Sequence, residues 1–186
     1  MSFFRKRAVA VILAILVVLA GTYYSAYAKL GSKCSSVESG FYNGVTYSGY
    51  LHPSINGQLE NISDSVQGMI TICENYGVDT QEISKRKAVL DSSLDEKASI
   101  SSLYSSYSSL SSSIDDLENE MTSIELSERY TQGWNGYVND IASAQQTIKN
   151  SGYNDSVDEL LREIDSNIIA SYIMLNTNIK APEYFK

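Results

Sequence analysis

Apolar residues recur at alternating steps of three and four positions through much of the chain. The longest series has eight members: Ile100, Leu103, Tyr107, Leu110, Ile114, Leu117, Met121 and Ile124. This spacing puts all eight side chains on one face of a helix, as in helices that pack along a nearly parallel neighbour. We therefore predict a long amphipathic helix over this part of the chain.

The composition of the same stretch points the other way. Nine of the residues at positions 101–113 are serine, and serine-rich tracts are typical linkers. Serine also costs about 0.5 kcal/mol relative to alanine in a helix. A linker has no reason to keep a period of 3.5 residues, so the apolar pattern favours a helix.

Three other segments repeat the pattern. Their apolar positions are Ile55, Leu59, Ile62, Val66, Met69 and Cys73; then Tyr130, Trp134, Tyr137, Ile141, Ala144 and Ile148; then Val157, Leu161, Ile164, Ile168, Tyr172 and Leu175. A shorter helix is predicted through Ile83, Ala88, Leu90 and Leu94. Glycines 77 and 152 mark breaks, because glycine suits the left-handed position after a helix.

The fold class follows from these segments. No proline occurs between Pro53 and Pro182, and proline is poorly tolerated inside helices. We predict an all-α protein, with an N-terminal transmembrane helix followed by an antiparallel up-and-down bundle of four to five long helices. The predicted divisions are 1–28 (anchor), 29–52 (Gly/Tyr-rich connecting segment), 53–180 (bundle) and 181–186 (tail).

The first 28 residues form a basic start followed by an uncharged run. Arg5, Lys6 and Arg7 precede 21 uncharged residues at 8–28, which as a helix measure roughly 30 Å and suffice to cross a bilayer. A basic cluster stays on the cytoplasmic side, so the C-terminal part is expected outside the cytoplasm, with residues 8–28 in the lipid bilayer of a bacterial cell. Cleavage as a secretory signal after Ala26-Tyr27-Ala28 stays open as the alternative.

Residues 29–52 are harder to assign, because Gly40, Gly44 and Gly49 recur among aromatic residues. Each glycine weakens a helix by up to about 1 kcal/mol. The segment is predicted to be either an irregular helix leaving the membrane or a short linker.

Charge excludes one class of partner. The chain has 14 basic and 22 acidic residues, and three of the basic ones lie at positions 5 to 7. The remainder therefore carries 11 basic against 22 acidic residues, a net charge near −11. Such a surface is unsuited to nucleic acid and to anionic lipid headgroups.

The sequence offers little that suggests catalysis. Cys34 and Cys73 are a candidate disulfide outside the cytoplasm, with a small core residue and a free thiol as the alternative. One histidine, His52, and two isolated cysteines make no metal set. The carboxylates at 115–120 are interpreted as a solvated helix face. We expect no catalytic residues, no cofactor and no metal.

Tyrosines suggest a recognition surface. Fourteen Tyr against four Phe favours rings that stay partly in water. The candidate partner surface is Tyr104, Tyr107, Trp134 and Tyr137, on a helical face that docks a protein or envelope component. Alternatively, the tyrosines at 107, 130 and 137 are stripe residues whose hydroxyls reach the bundle edge.

Several short motifs resemble those of the LemA family of bacterial membrane-anchored proteins. They are Ile141-Ala142-Ser143-Ala144-Gln145, Tyr153-Asn154-Asp155-Ser156-Val157, Asn167-Ile168-Ile169-Ala170 and the tail Glu183-Tyr184-Phe185. The layout of a basic N-terminus, one apolar helix and long helices is also similar. The resemblance implies a helical fold and membrane attachment, and it brings no established catalytic residues.

The expected function is a membrane-anchored, extracytoplasmic helical bundle with a non-catalytic binding or scaffolding role. One alternative is a secreted binding module, released by cleavage after Ala28. Another is a glycan hydrolase that uses a pair of carboxylates, which needs both groups in one cleft.

Overall fold

A computed structural model describes residues 2–47 and 50–186, with side chains described from position 7 onward except at 45–52. The chain divides into two compact units. We call Met1–Glu38 with Ser156–Pro182 the first unit, and Ser39–Asp155 with Glu183–Lys186 the bundle unit.

Within the described residues the protein is all-helical, as predicted, apart from one short hairpin. The helices are α1 (Ser2–Asn43), α2 (Ile55–Asn75), α3 (Gln81–Asp95), α4 (Ile100–Met121), α5 (Glu128–Lys149), α6 (Tyr153–Ser166) and α7 (Ile168–Asn176). The hairpin pairs β1 (Val45–Tyr47) with β2 (Tyr50–His52), with Thr46 opposite Leu51. The division of the chain into anchor, connecting segment, bundle and tail at 1–28, 29–52, 53–180 and 181–186 stays a prediction.

Residues 29–52 contain the end of α1 and the hairpin, which the sequence did not predict. The helix predicted to leave the membrane continues to Asn43, where α1 ends. Gly44 follows with φ 71°, a left-handed conformation that glycine adopts without strain, and the chain turns into the hairpin.

In the bundle unit, the apolar stripes are the contact surfaces. α2 packs mainly on α5 and also on α3, and α3 packs on α4. Every predicted stripe residue of α2 is buried, as are six of the eight along the α4 series. The serine tract is helical, as predicted, and Leu110 at its centre is 0% exposed. In α3 only half of the predicted stripe is buried, namely Ile83 and Leu90.

α2 and α5 run antiparallel at very close range. Gly68 contacts Tyr137, and four residues later along α2 Ile72 contacts Gly133, which comes four residues earlier along α5. The two helices therefore run in opposite directions. A Cβ placed on Gly68 would lie 2.2 Å from Tyr137 Cζ. A side chain at position 68 would therefore have to displace the Tyr137 ring.

In the first unit, one face of α1 packs on α6 and α7. The buried core is Leu30, Cys34, Leu160, Ile164 and Ile173. Lys33 Nζ lies 2.5 and 2.6 Å from the two carboxylate oxygens of Glu163. The Lys33 ammonium holds the pKa of Glu163 below its ordinary value through this hydrogen bond.

The prediction of one continuous last helix is wrong. Asn167 is extended, and its side chain accepts hydrogen bonds from the backbone N–H groups of Ile169 and Ala170. This N-cap starts a separate helix, α7, and rotates its residues relative to α6. Ile168, Tyr172 and Leu175, predicted to continue the buried stripe, are exposed, and Ile173 is buried instead.

Candidate functional site

The apolar run of α1 is exposed on all sides. Nine large apolar side chains between Val9 and Leu19 are 52–70% exposed. One described helix, Arg7–Asn43, is long and apolar enough to cross a membrane. Leaving these side chains in water is costly, because burying each is worth about 1.5–3 kcal/mol. Since these side chains are a little more than half exposed, the sum over nine residues is on the order of 10 kcal/mol.

The surroundings of α1 change at Ala26. From there, Ala26, Leu30, Cys34 and Val37 lie on one helix face and pack in the core of the first unit. Slightly earlier along α1, the ring of Tyr23 meets Tyr172 edge to face, with centroids 6.4 Å apart. The helix therefore passes from an unpacked apolar segment to a packed segment near Tyr23–Ala26.

The bundle unit holds a cluster of aromatic rings around Phe185. Its ring centroid lies 5.4 Å from that of Phe41, 5.3 Å from that of Tyr104 and 5.7 Å from that of Tyr107. Phe41 also meets Tyr153 at 5.4 Å. Phe41 and Phe185 are buried, whereas Tyr104 and Tyr107 are partly exposed.

Asn154 fixes the backbone of Phe185. The Phe185 N–H donates to Asn154 Oδ1 at 2.8 Å, and Asn154 Nδ2 donates to the Phe185 carbonyl. Glu183 also contributes, since its carboxylate accepts from the Ser101 N–H at 2.7 Å near the start of α4. The C-terminal residues are thus held against α4 and the start of α6 inside the bundle unit.

A cavity of about 490 Å³ borders this cluster. Its lining includes Tyr107, Gln145, Lys149, Asn154 and Lys186. Burial raises the pKa of the Tyr107 hydroxyl, while hydrogen bonds with Gln145 and Ser111 oppose the rise. The cavity combines aromatic surface with hydrogen-bonding groups, two lysines and the carboxylate of Asp155, so its lining can contact polar groups.

The four residues of the predicted partner surface do not lie together in the structure. Tyr104 and Tyr107 come together on Phe185, at the edge of the cavity. Tyr137 packs on Gly68 in the α2–α5 seam, and Trp134 is partly buried on α5. The partner surface stays a prediction, and Phe185 and Asn154 join it from the structure. The sequence signal for both was present in the Tyr-Asn-Asp and Glu-Tyr-Phe motifs.

Both cysteines are free and buried in this structure. The candidate disulfide between them stays a prediction. Cys34 belongs to the core of the first unit and Cys73 to that of the bundle unit. Burial raises the pKa of the Cys73 thiol to about 11, with Glu120 and Glu74 adding to the rise. Cys73 packs as the small apolar core residue of the alternative interpretation.

The acidic residues were considered as metal ligands only in the part of the chain that the structure describes. No group of three or more His, Cys, Asp or Glu side chains there is placed to hold a metal ion. Asp115, Asp116 and Glu120 are exposed along α4, while partial burial raises the pKa of Glu118, as does Asp115. The side chain of His52 lies outside the described residues.

No protein-family model, no characterised protein and no solved structure matches this chain. The similarity to the LemA family stays a prediction from the motifs.

Proposed function

We propose that this protein is a single-pass membrane protein that presents acidic helical units outside the cytoplasm of a bacterial cell. Its role there is non-catalytic binding or scaffolding. The observation that carries the proposal is the exposed apolar run of α1, whose large side chains no other part of the described chain covers. A bilayer supplies the missing apolar surroundings for all of them at once.

Charge supports an orientation with the N-terminus in the cytoplasm. Arg5, Lys6 and Arg7 precede the apolar run, and basic residues next to a span are retained on the cytoplasmic side. The remaining chain is strongly acidic, so anionic lipid headgroups repel it. Its units therefore stand away from the headgroups except where apolar surface holds them.

Contacts of the leader support its retention. Ala26 packs in the core of the first unit, and Tyr23 contacts Tyr172. Cleavage after Ala28 would remove both residues and uncover the side chains that they contact. A signal peptide is discarded and has no need of such contacts with the mature protein.

The residues that resemble LemA motifs support a distant relationship to that family. Asn154 holds Phe185 in the bundle unit, so two of the motifs meet. Asn167 caps α7, which places a third motif at a helix start. We propose that the chain is a divergent member, in which these residues preserve local structure.

The cavity beside Phe185 is the proposed binding site. Its lysines, Lys149 and Lys186, its carboxylate at Asp155 and its hydrogen-bonding groups suit a polar segment of an envelope protein. The aromatic rings of Tyr104 and Tyr107 provide rigid contact area at its edge.

Cell fractionation with intact-mass measurement tests the anchor. We expect the full-length mass in the membrane pellet, resistant to extraction with carbonate. Protease added outside the cytoplasmic membrane should remove the C-terminal units and leave the N-terminus protected. Loss of 28 residues with release into the medium would replace the anchor by a secreted module.

Site-specific photo-crosslinking tests the binding site. A photoreactive residue at Gln145 in the cavity should give a discrete adduct in cells, and the same residue at exposed Val89 serves as the control. Adding Asn154→Ala, which releases Phe185, should abolish the adduct. Identical adducts from both positions, or none from Gln145, would refute binding at the cavity.

A further inference from the structure

α7 is apolar almost throughout, yet much of it is uncovered. Seven of its nine residues are apolar or aromatic, and none is charged. A helix that is apolar all round is found in a protein core or in a membrane. Here Ile168 and Leu175 are 88% and 84% exposed, so the protein core accounts for only part of the helix.

The exposed residues of α7 share one face. Ile168, Tyr172 and Leu175 follow the i, i+4, i+7 spacing of a helix stripe, and the exposed Ile169 lies beside them. The opposite face holds Ile173, which is fully buried, and packs Ala170 and Met174 in the core of the first unit. The helix is thus held by one side and presents an apolar strip on the other, which ends at the exposed Asn176.

Contacts along α1 give the level at which this strip lies. Glu163 on α6 pairs with Lys33, Tyr172 on α7 contacts Tyr23, and Ile179 after α7 packs at Gly31. Following the chain from α6 through α7, the contacted residue of α1 shifts from Lys33 to Tyr23, ten residues or about 15 Å closer to the apolar run. After α7 it returns to Gly31. α7 is therefore the turning point of the chain, level with the last residues of that run.

We propose that α7 is an interfacial membrane helix, whose strip of Ile168, Ile169, Tyr172 and Leu175 enters the outer leaflet of the bilayer that α1 crosses. The proposal rests on the anchor function above. The occupant is lipid because the strip continues the exposed apolar surface of α1 through the Tyr23–Tyr172 contact. Tyrosine rings at this level match the preference of amphipathic rings for the membrane interface.

Lipid-dependent quenching of a single tryptophan tests the position of the strip. The full chain carries one tryptophan, Trp134, and Trp134→Phe provides a silent background. On that background we place Leu175→Trp in the strip, Leu13→Trp in the apolar run and Glu159→Trp on the exposed face of α6. Each variant is reconstituted into phosphatidylcholine vesicles with lipids brominated at a shallow or a deep position.

The three positions separate the two proposals. We expect the Leu175→Trp chain to show a blue shift and loss of emission with shallow bromines, and the Leu13→Trp chain to lose emission with deep bromines. The Glu159→Trp chain should keep its emission with both lipids. Because positions 175 and 13 are exposed and 159 is polar surface, the folded units tolerate all three changes, which circular dichroism verifies.

Two results would overturn the proposal. If the Leu13→Trp chain is quenched and the Leu175→Trp chain is not, the anchor stands and the interfacial helix fails; a blue shift without quenching would then indicate cover by a second copy. If the chain does not float with vesicles and neither position is quenched, both proposals fail together.

Discussion

The two units differ in what they do with apolar side chains. Of the 17 large apolar side chains that are exposed among the described residues, 16 lie in the first unit, and Val89 alone lies in the bundle unit. The bundle unit covers its stripes by pairing helices, whereas the first unit leaves the α1 run and the α7 strip uncovered. The first arrangement suits water, and the second contains the one described helix that is long and apolar enough to cross a membrane.

The two units also differ in what the spacing of apolar residues reveals about packing. In α4 every seventh residue or so returns to the same face, which identifies the partner-facing side. In the α1 run and in α7 apolar residues occur on all sides, so the spacing of apolar residues does not show which side faces a protein partner. A segment without a stripe is the one to examine for membrane contact.

The largest expected effect comes from placing a carboxylate in the bundle core. Leu110→Asp buries a charge where the native side chain is 0% exposed, so the bundle unit should lose about 4–5 kcal/mol of unfolding free energy or fail to fold. Chemical denaturation in detergent measures this. An unchanged midpoint would mean that the serine-rich helix is a tether without a packed face.

The same replacement in the apolar run should act on membrane insertion instead. Leu16→Asp costs about 2.5–3.5 kcal/mol of insertion free energy near a helix centre. Because Leu16 is exposed within the protein, the unfolding midpoint of the bundle unit in detergent should not change. Membrane partitioning and denaturation of the pair Leu16→Asp and Leu110→Asp measure both effects. Equal loss of fold in the two variants would remove the distinction between the units.

A smaller effect tests the closeness of the α2–α5 seam. Gly68→Ala forces a methyl group into the Tyr137 ring and should cost about 1–3 kcal/mol of stability, reduced by the better helix propensity of alanine. Gly136→Ala is the matched control, since a Cβ there meets nothing within 4 Å. It should gain about 0.5–1 kcal/mol. Thermal unfolding of both variants measures the difference. Equal stabilisation by Gly68→Ala and Gly136→Ala would contradict the close contact between Gly68 and Tyr137.

The smallest expected effect concerns alkaline pH. Burial raises the pKa of Cys73 from 9.0 to about 11, so above pH 9 the unfolded chain releases a proton that the folded bundle keeps. Stability from this group is therefore complete below pH 9 and falls as pH rises toward 11. Between about pH 8 and about pH 10.5 the urea midpoint should fall further for the natural chain than for Cys73→Ala. Parallel curves would show that the thiol is in contact with water.

Sequence reasoning succeeded where local pattern and packing agree. The stripes of α2 and α4 are buried as predicted, and the helical ends near Gly77 and Gly152 follow from a residue that adopts positive φ. It failed at Asn167, because an apolar series continued in register across a residue whose side chain caps a new helix. Phe185 was recognised as a motif residue, but its contacts with rings from positions 41 and 104 join distant parts of the chain.

Period and composition were enough to predict the helical class, the apolar run at 8–28 and most of the buried faces of α2 and α4, because both act on neighbouring residues. Three features became visible only in the folded protein. They are the α1 contacts that continue beyond Ala26, the free thiols of Cys34 and Cys73, and the exposed strip of α7. These depend on which surfaces meet in space. When a helix restarts at a cap such as Asn167, its side chains are rotated relative to the preceding helix. Different side chains are then covered, although the pattern along the chain is the same.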